Sequence, residues 1–150
     1  MDETMMIIFA NISSIMKNTS LSESFYNAVL QRLVSFGYSL KESDAWELCF
    51  AMQKVENHIK NSCNITSVPE GLYNAAVDVV CGEFLFAKKQ IGKLELNDLD
   101  FTGAITSIKE GDTSVNFGSG TSDEEKFTSL LNLLIHSLEG ELICYRRMQW

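Results

Sequence analysis

One segment of the chain, from Val77 to Ala87, reads VDVVCGEFLFA and is apolar except for Asp78 and Glu83. A helix that is apolar on nearly every side must be covered on nearly every side. The cover can come from the other helices of one small domain, in which this helix is central, or from neighbouring subunits of an oligomer. Pro69, the only proline of the chain, stands where a first helical turn tolerates it. The segment therefore predicts a long, well-covered helix in a helical fold, with neighbouring subunits as an obvious source of the cover that one small domain leaves open.

Four more helices are predicted from apolar residues that recur at steps of three and four. Their approximate limits are residues 4–17, 20–37, 39–61 and 122–145. Each of the last three begins with a serine three positions before a glutamate, which is the spacing of a capping box. These pairs are Ser20 with Glu23, Ser39 with Glu42, and Ser122 with Glu125. The predicted fold class is mainly α: one domain over residues 1–150, a bundle of four to five helices with an inserted β-hairpin or long loop at about 95–120, and a C-terminal tail.

The inserted segment contains two short β-prone runs, at 105–109 and 113–117. Gly111 lies between them and can take the positive φ that a tight turn needs. A lone two-stranded hairpin is marginal in water. We therefore expect this hairpin either to rest on its own domain or to pair edge to edge with another chain, and both readings stay open.

The composition is typical of a folded soluble protein, with 45% hydrophobic and 21% charged residues. Its 12 basic and 20 acidic residues give a net charge of −8. A chain of that sign repels the DNA backbone, which argues against sequence-independent DNA wrapping. DNA can still pass nearby without binding.

The apolar run at residues 5–10 resembles part of a signal peptide, but Asp2 and Glu3 stand where a signal peptide needs positive charge. No stretch approaches the length of a membrane span. We therefore expect an intracellular protein that does not enter a membrane. Its cysteines form no CxxC pair, so they are interpreted as structural thiols. They are Cys49, Cys63, Cys81 and Cys144.

Residues that could carry a reaction form no recognised pattern. His58 and His136 are far apart in sequence and fall on separate helices. Glu56 interrupts the apolar stripe of the third helix and is interpreted as a paired or edge carboxylate rather than a catalytic one. The carboxylates of the inserted segment are expected to be solvated, whereas acid–base work needs burial. We therefore expect no enzymatic activity, no metal and no cofactor.

The chain ends with the sequence YRRMQW, which combines Tyr145, Arg146, Arg147 and Trp150. Tyrosine, arginine and tryptophan are the residues that dominate protein–protein hot spots. This composition predicts a docking segment at residues 145–150.

Several segments, taken in order, resemble the head–tail connector (adaptor, or head-completion) family of long-tailed bacteriophages and related prophages. The resemblance covers roughly the last two-thirds of the chain. The segments are IKNSCNI at 59–65, VPEGL at 68–72, GEFL at 82–85 with Lys88-Lys89, GKL at 92–94, SIKEGDTSVNF at 107–117, and the terminal YRRMQW. Residues 1–58 match only in being helical. The family usually has a second basic residue just before the final tryptophan, where this chain has Met148-Gln149.

The resemblance implies a structural virion protein at the neck of the particle, assembled in the host bacterial cytoplasm. Such subunits form a ring, expected to be twelvefold, which lies beneath the portal and extends the DNA channel. The ring joins the capsid to a stopper or tail-completion protein. DNA is then a passing cargo only. A segment that becomes ordered on the portal would delay ring assembly until DNA has been packaged.

The resemblance also assigns roles to residues. The portal-docking residues would be Tyr145, Arg146, Arg147 and Trp150. The subunit–subunit interface would contain Ile105, Ile108, Gly111, Asp112, Thr113, Val115 and Phe117 of the hairpin, together with Phe84 and Phe86. The channel-facing candidates are Asp98, Asp100 and Glu110.

Two other functions compete with this interpretation. A small terminase subunit is also a helical ring-former, but it should carry a basic DNA-binding module, and none is visible here. A small acidic regulatory or inhibitory binding protein would explain the negative charge as nucleic-acid mimicry. It would leave the hairpin and the Arg/Trp tail without a purpose.

Overall fold

The structure, a computed structural model, describes residues 3–92, 94, 96, 99–100, 122–136 and 138–142. The described residues form five α-helices and one short 3-10 turn at Glu70–Leu72. The helices are α1 (Glu3–Ile15), α2 (Glu23–Ser35), α3 (Asp44–Cys63), α4 (Tyr73–Gln90) and α5 (Asp123–Ile135). The prediction of a mainly helical bundle is confirmed. The predicted hairpin and the tail 145–150 lie outside the described residues.

Helix α4 is the centre of the bundle and packs against α2, α3 and α5. Both α3 and α5 run antiparallel to it. On the α3 side, Lys88 pairs with Asp44 near one end and Glu83 pairs with Lys54 further along. On the α5 side, the cover is so close that a Cβ added at Gly82 would lie 2.9 Å from Leu134 Cβ. Helices of the same chain therefore supply most of the cover that the apolar sequence of α4 requires.

Two predicted helix starts were wrong, because polar side chains near them have other partners. Ser20 does not cap α2, since its hydroxyl donates to Glu56 Oε2 at 2.7 Å. The cap is Ser22, whose side chain accepts from the Phe25 amide. Helix α3 begins at Asp44 instead of near Ser39. The Asp44 carboxylate accepts from the Lys41 amide at 3.0 Å, which holds the preceding residues in a turn.

The other helix boundaries agree better with the sequence. Ser122 caps α5 by accepting from the Glu125 amide, and Gly37 and Gly92 take φ values of 92° and 74° after α2 and α4. Helix α5 is shorter than predicted, because it ends at Ile135 and turns follow. Leu142 is still buried in this turn region.

Candidate functional site: an exposed aromatic face

Helix α3 carries two large aromatic side chains on its outer side. Trp46 is 70% exposed and Phe50 is 71% exposed. They are four positions apart, so they lie one above the other on the same face of the helix. Phe86 of α4, 44% exposed, belongs to the same region of the surface. We call these three residues the aromatic face.

An apolar groove of about 640 Å³ runs beside these side chains, between α3 and α4. Its lining is Ile15, Trp46, Glu47, Cys49, Phe50, Ala51, Gln53, Lys54, Glu83, Phe84, Phe86, Ala87 and Gln90. The same surface thus contains projecting aromatic side chains and a groove next to them. Exposed apolar surface of this kind is typical of a protein–protein contact.

A buried ion pair fixes α3 against α4 at one end of the face. Lys88 Nζ lies 2.6 Å from Asp44 Oδ1 and 2.8 Å from Glu47 Oε2. Asp44 also accepts from the hydroxyl of Tyr38 at 2.9 Å. Further along the groove, Lys54 Nζ pairs with Glu83 Oε2 at 3.1 Å. These pairs set the separation of the two helices and therefore the width of the groove.

The charges in this cluster are held in place by their partners. Burial alone would lower the pKa of Lys88, but its bonds to Asp44 and Glu47 outweigh burial, and the net pKa is raised. The pKa of Tyr38 is raised by burial and by the negative charge of Asp44. Lys88 therefore stays protonated and Tyr38 stays a hydrogen-bond donor at neutral pH. The cluster therefore joins α3 to α4, and Lys88 and Tyr38 do not exchange protons near neutral pH.

A second groove of about 660 Å³ continues the first along α3 towards α5. The two grooves share Phe50, Gln53, Lys54 and Glu83. The far end of the second groove is lined by Ile135, Leu138 and Leu142. The accessible apolar surface therefore extends over much of the outer side of α3.

Glu56, which interrupts the apolar stripe, is tied down by residues of the α1–α2 connection. It accepts from the Thr19 hydroxyl at 2.8 Å and from the Ser20 amide at 2.7 Å. Lys60 Nζ lies 3.4 Å away. Burial would raise the pKa of Glu56, but the hydrogen bonds and the Lys60 charge outweigh it, and the net pKa is lowered. The interpretation of Glu56 as a paired carboxylate is confirmed.

The structure separates the two phenylalanines that were assigned to a subunit interface. Phe84 is only 1% exposed and packs edge to face on Tyr38, with ring centroids 5.3 Å apart. It is therefore a core residue of its own chain, and its assignment to a surface contact is corrected. Phe86 points outwards and stays available for such a contact.

Most of the other predicted site residues lie outside the described residues. Asp100 is described: it is exposed, and its amide donates to the Phe36 carbonyl at 2.9 Å. Those outside the described residues are Asp98, Ile105, Ile108, Glu110, Gly111, Asp112, Thr113, Val115, Phe117, Tyr145, Arg146, Arg147 and Trp150.

Trp46 and Phe50 were missed by the sequence analysis. The apolar stripe of α3 contains Ala45, Leu48 and Met52, and these residues are buried. Two aromatic residues four positions apart on the opposite side of that stripe were a usable signal. A large apolar residue on the polar side of an amphipathic helix indicates either a second contact within the fold or a binding surface.

Groups suited to metal or thiol chemistry are sparse in the part of the chain that the structure describes. There, no cluster of three or more His, Cys, Asp or Glu side chains could hold a metal ion. Cys49, Cys63 and Cys81 are buried free thiols, and burial raises the pKa of Cys49 to about 11. Among the described helices, none combines the length and apolar character needed to cross a membrane.

Comparisons of the chain with protein-family models, with curated proteins and with solved structures found no match.

Proposed function

We propose that this chain is a structural assembly protein: a head–tail connector that forms a ring beneath a phage portal, extends the DNA channel and joins the capsid to the tail. The observation that carries the proposal is the aromatic face. Trp46, Phe50 and Phe86 are largely or partly exposed on a well-packed helical domain. Tryptophan and other aromatic residues are the anchors of protein interfaces.

The rigidity of the surface supports a role in assembly. The buried Lys88–Asp44 pair joins α3 to α4, and the more exposed Lys54–Glu83 pair adds a weaker contact. A partner that docks here meets a preformed surface, so little conformational entropy is lost in ordering it. Preformed surfaces suit a subunit that must add to a ring with one geometry.

The choice of a phage connector among assembly proteins rests on the ordered series of segments from residue 59 to Trp150. In this proposal, Tyr145, Arg146, Arg147 and Trp150 dock on the portal, while the hairpin at 105–117 and Phe86 contribute to subunit contacts. The net charge of −8 keeps DNA from adhering to the channel, because few cations are present to bind its phosphates. The stopper or tail-completion protein would bind the opposite side of the ring.

The test is mass photometry of the portal ring of the same phage or prophage, with and without the chain. We expect a gain close to twelve chain masses per portal. A chain that lacks residues 145–150 should add no mass, because the portal-docking segment is missing. The matched control is the full-length Trp150→Phe variant, which keeps an aromatic terminus and should load at least in part.

The alternative function, a small acidic regulatory or inhibitory protein, gives the opposite result. No mass gain by the full chain on the portal would overturn the connector proposal and favour the regulator. Retention of DNA that weakens steeply with salt would instead favour a terminase-like role.

A further inference from the structure

The aromatic face has a shape that can bind a copy of itself. Trp46 and Phe50 project from α3, and the apolar groove lies directly beside them between α3 and α4. When a projection and a groove lie on one surface, two copies related by a two-fold axis can each insert into the other. Neither copy then needs any other binding surface.

We infer that the occupant of this groove is a second copy of this chain, in a two-fold dimer in which the two α3 helices pair antiparallel around Phe50. This inference goes beyond the connector proposal and does not depend on it. In a two-fold contact, a residue i that contacts j of the partner is matched by j contacting i. Phe50 would lie against the Phe50 side chain of the second copy, and Trp46 would lie near its Lys54.

The charges beside the face fit this arrangement. Glu47 and Lys54 lie on either side of Phe50 at nearly equal distances along α3, three and four positions away. An antiparallel pairing centred on Phe50 therefore brings Glu47 of each copy next to Lys54 of the other. Both residues already pair within their own chain, with Lys88 and Glu83, but their side chains stay 37% and 59% exposed, so each can also contact the second copy. Lys54 is also placed for a cation–π contact with the opposite Trp46. A parallel pairing would instead place like charges together.

The area is also of the right order for a dimer. With about 150–250 Å² per aromatic side chain, the exposed fractions of Trp46, Phe50 and Phe86 correspond to roughly 400 Å² of apolar surface. A stable interface buries about 800 Å² per partner, with an apolar centre and a polar rim. The exposed polar residues of α3 around the face, including Gln53, Lys54 and Asn57, supply such a rim.

A two-fold contact closes at two copies, whereas a cyclic ring needs head-to-tail contacts. If the chain is a connector, the dimer is therefore a state of the free protein and not a piece of the ring. It would cover Phe86 and the groove until a ring site competes for them. Assembly would then depend on dissociation of the dimer.

The first test is sedimentation velocity of the full chain alone over a wide concentration range. We expect a reversible shift from a species of 16.8 kDa to one of twice that mass, with no larger species. Phe50→Ser should weaken the dimer by roughly 100-fold or more, since a central aromatic anchor is lost. The matched control is Val34→Ser, a similar loss of an exposed apolar side chain on α2, which should leave the dimer unchanged.

A charge exchange tests the antiparallel two-fold geometry itself. Glu47→Lys and Lys54→Glu should each weaken the self-association by roughly tenfold, because like charges then face each other twice. Each reversal also opposes a partner in its own chain, Lys88 or Glu83, so the readout is the rescue on mixing, which an in-chain loss cannot produce. Mixing the two variants should restore dimers close to wild-type affinity, since both charge pairs are attractive in the mixed species. Circular dichroism of each variant checks that the fold is kept.

Three results would overturn the inference. One is a wild-type chain that stays monomeric at all concentrations. If Phe50→Ser then impaired loading on the portal, the aromatic face would be assigned to another protein. Another is growth past two copies. The third is the absence of rescue in the mixed charge variants, which would exclude the antiparallel pairing.

Discussion

The inward side of α3 buries two carboxylates, Asp44 and Glu56, whereas its outward side exposes Trp46 and Phe50. Both sides reverse the usual distribution of polar and apolar residues. The two exceptions differ in one respect. Each buried carboxylate has several partners in the same chain, while the two aromatic side chains remain mostly exposed to solvent.

Buried charges are costly unless they are paired and hydrogen-bonded. Asp44 has Lys88, Tyr38 and the Lys41 amide as partners, so its burial is explained by the fold. The exposure of Trp46 and Phe50 is not explained by any stabilising contact within the described residues. A residue in an unusual position, such as an exposed aromatic side chain, therefore indicates function when no contact within the fold explains that position. The comparison also predicts that substitutions on the inward side change folding, while those on the outward side change assembly.

The largest effect is expected from breaking the buried ion pair. Lys88→Met leaves the Asp44 charge buried without its cation, which should lower the free energy of unfolding by about 3–5 kcal/mol. Urea denaturation at pH 7 measures this loss. The double variant Asp44→Asn with Lys88→Met removes the two buried charges and leaves only Glu47, whose side chain is 37% exposed, so it should recover much of the loss. A single variant as stable as the wild type would show that the pair does not lock α3 to α4.

The next effect concerns the close contact of α4 with α5. A Cβ at Gly82 would meet Leu134 Cβ at 2.9 Å and Ile135 Cγ1 at 3.0 Å. Gly82→Leu should therefore force the two helices apart and lower the free energy of unfolding by about 1–3 kcal/mol. The control is Gly140→Leu, where nothing lies within 4 Å of an added Cβ. Equal stability of both variants would contradict the close packing.

A smaller effect is expected at Glu56, and its pH dependence has a definite sign. The pKa of Glu56 is lowered in the folded chain, so its contribution to stability is present above the unfolded pKa, about 4.3, and is lost as pH falls through the folded value. Glu56→Gln should cost about 1–2 kcal/mol at pH 7. The difference from the wild type should shrink below about pH 4.

Glu83→Gln provides the comparison for Glu56. It changes the same side chain in a pair whose lysine is 59% exposed, so the cost should be within about 1 kcal/mol. Denaturant unfolding of both variants and of the wild type from pH 7 to pH 3 gives the free energy of unfolding of each as a function of pH. A Glu56→Gln curve parallel to that of the wild type would rule out the proposed linkage.

The helices could be predicted from the sequence because their apolar periodicity is strong. The extensive cover of α4 followed from a segment with only two polar residues, and the cap at Ser122 followed from the spacing of Ser122 and Glu125. The starts of α2 and α3 could not be predicted. They depend on Ser20 binding Glu56 and on Asp44 binding Lys41, and the first of these contacts joins residues 36 positions apart.

The candidate site was less predictable than the fold for a physical reason. The apolar pattern of α4 does not distinguish cover by the same chain from cover by a neighbour, so Phe84 and Phe86 received the same assignment although only Phe86 is exposed. Exposure depends on how three helices pack, and this is not a property of one helix. The spacing of Trp46 and Phe50 was visible in the sequence, but it allowed either a second contact within the fold or a binding surface, and the packing of α3 was needed to decide between them.

The smallest effect on folding is expected on the outward side, where the comparison is sharpest. The double variant Trp46→Ser with Phe50→Ser should change the free energy of unfolding by no more than about 0.5 kcal/mol at low protein concentration, because surface side chains contribute little to stability. At high concentration the wild type should gain stability, since association that occurs only in the folded state raises the midpoint of unfolding. The variant should show no such gain. Thermal unfolding over a wide range of protein concentration measures both the stability of the single chain and the stability gained by association. If the double variant lost as much stability at low concentration as Lys88→Met does, the aromatic side chains would belong to the fold, and the distinction between the two sides of α3 would fail.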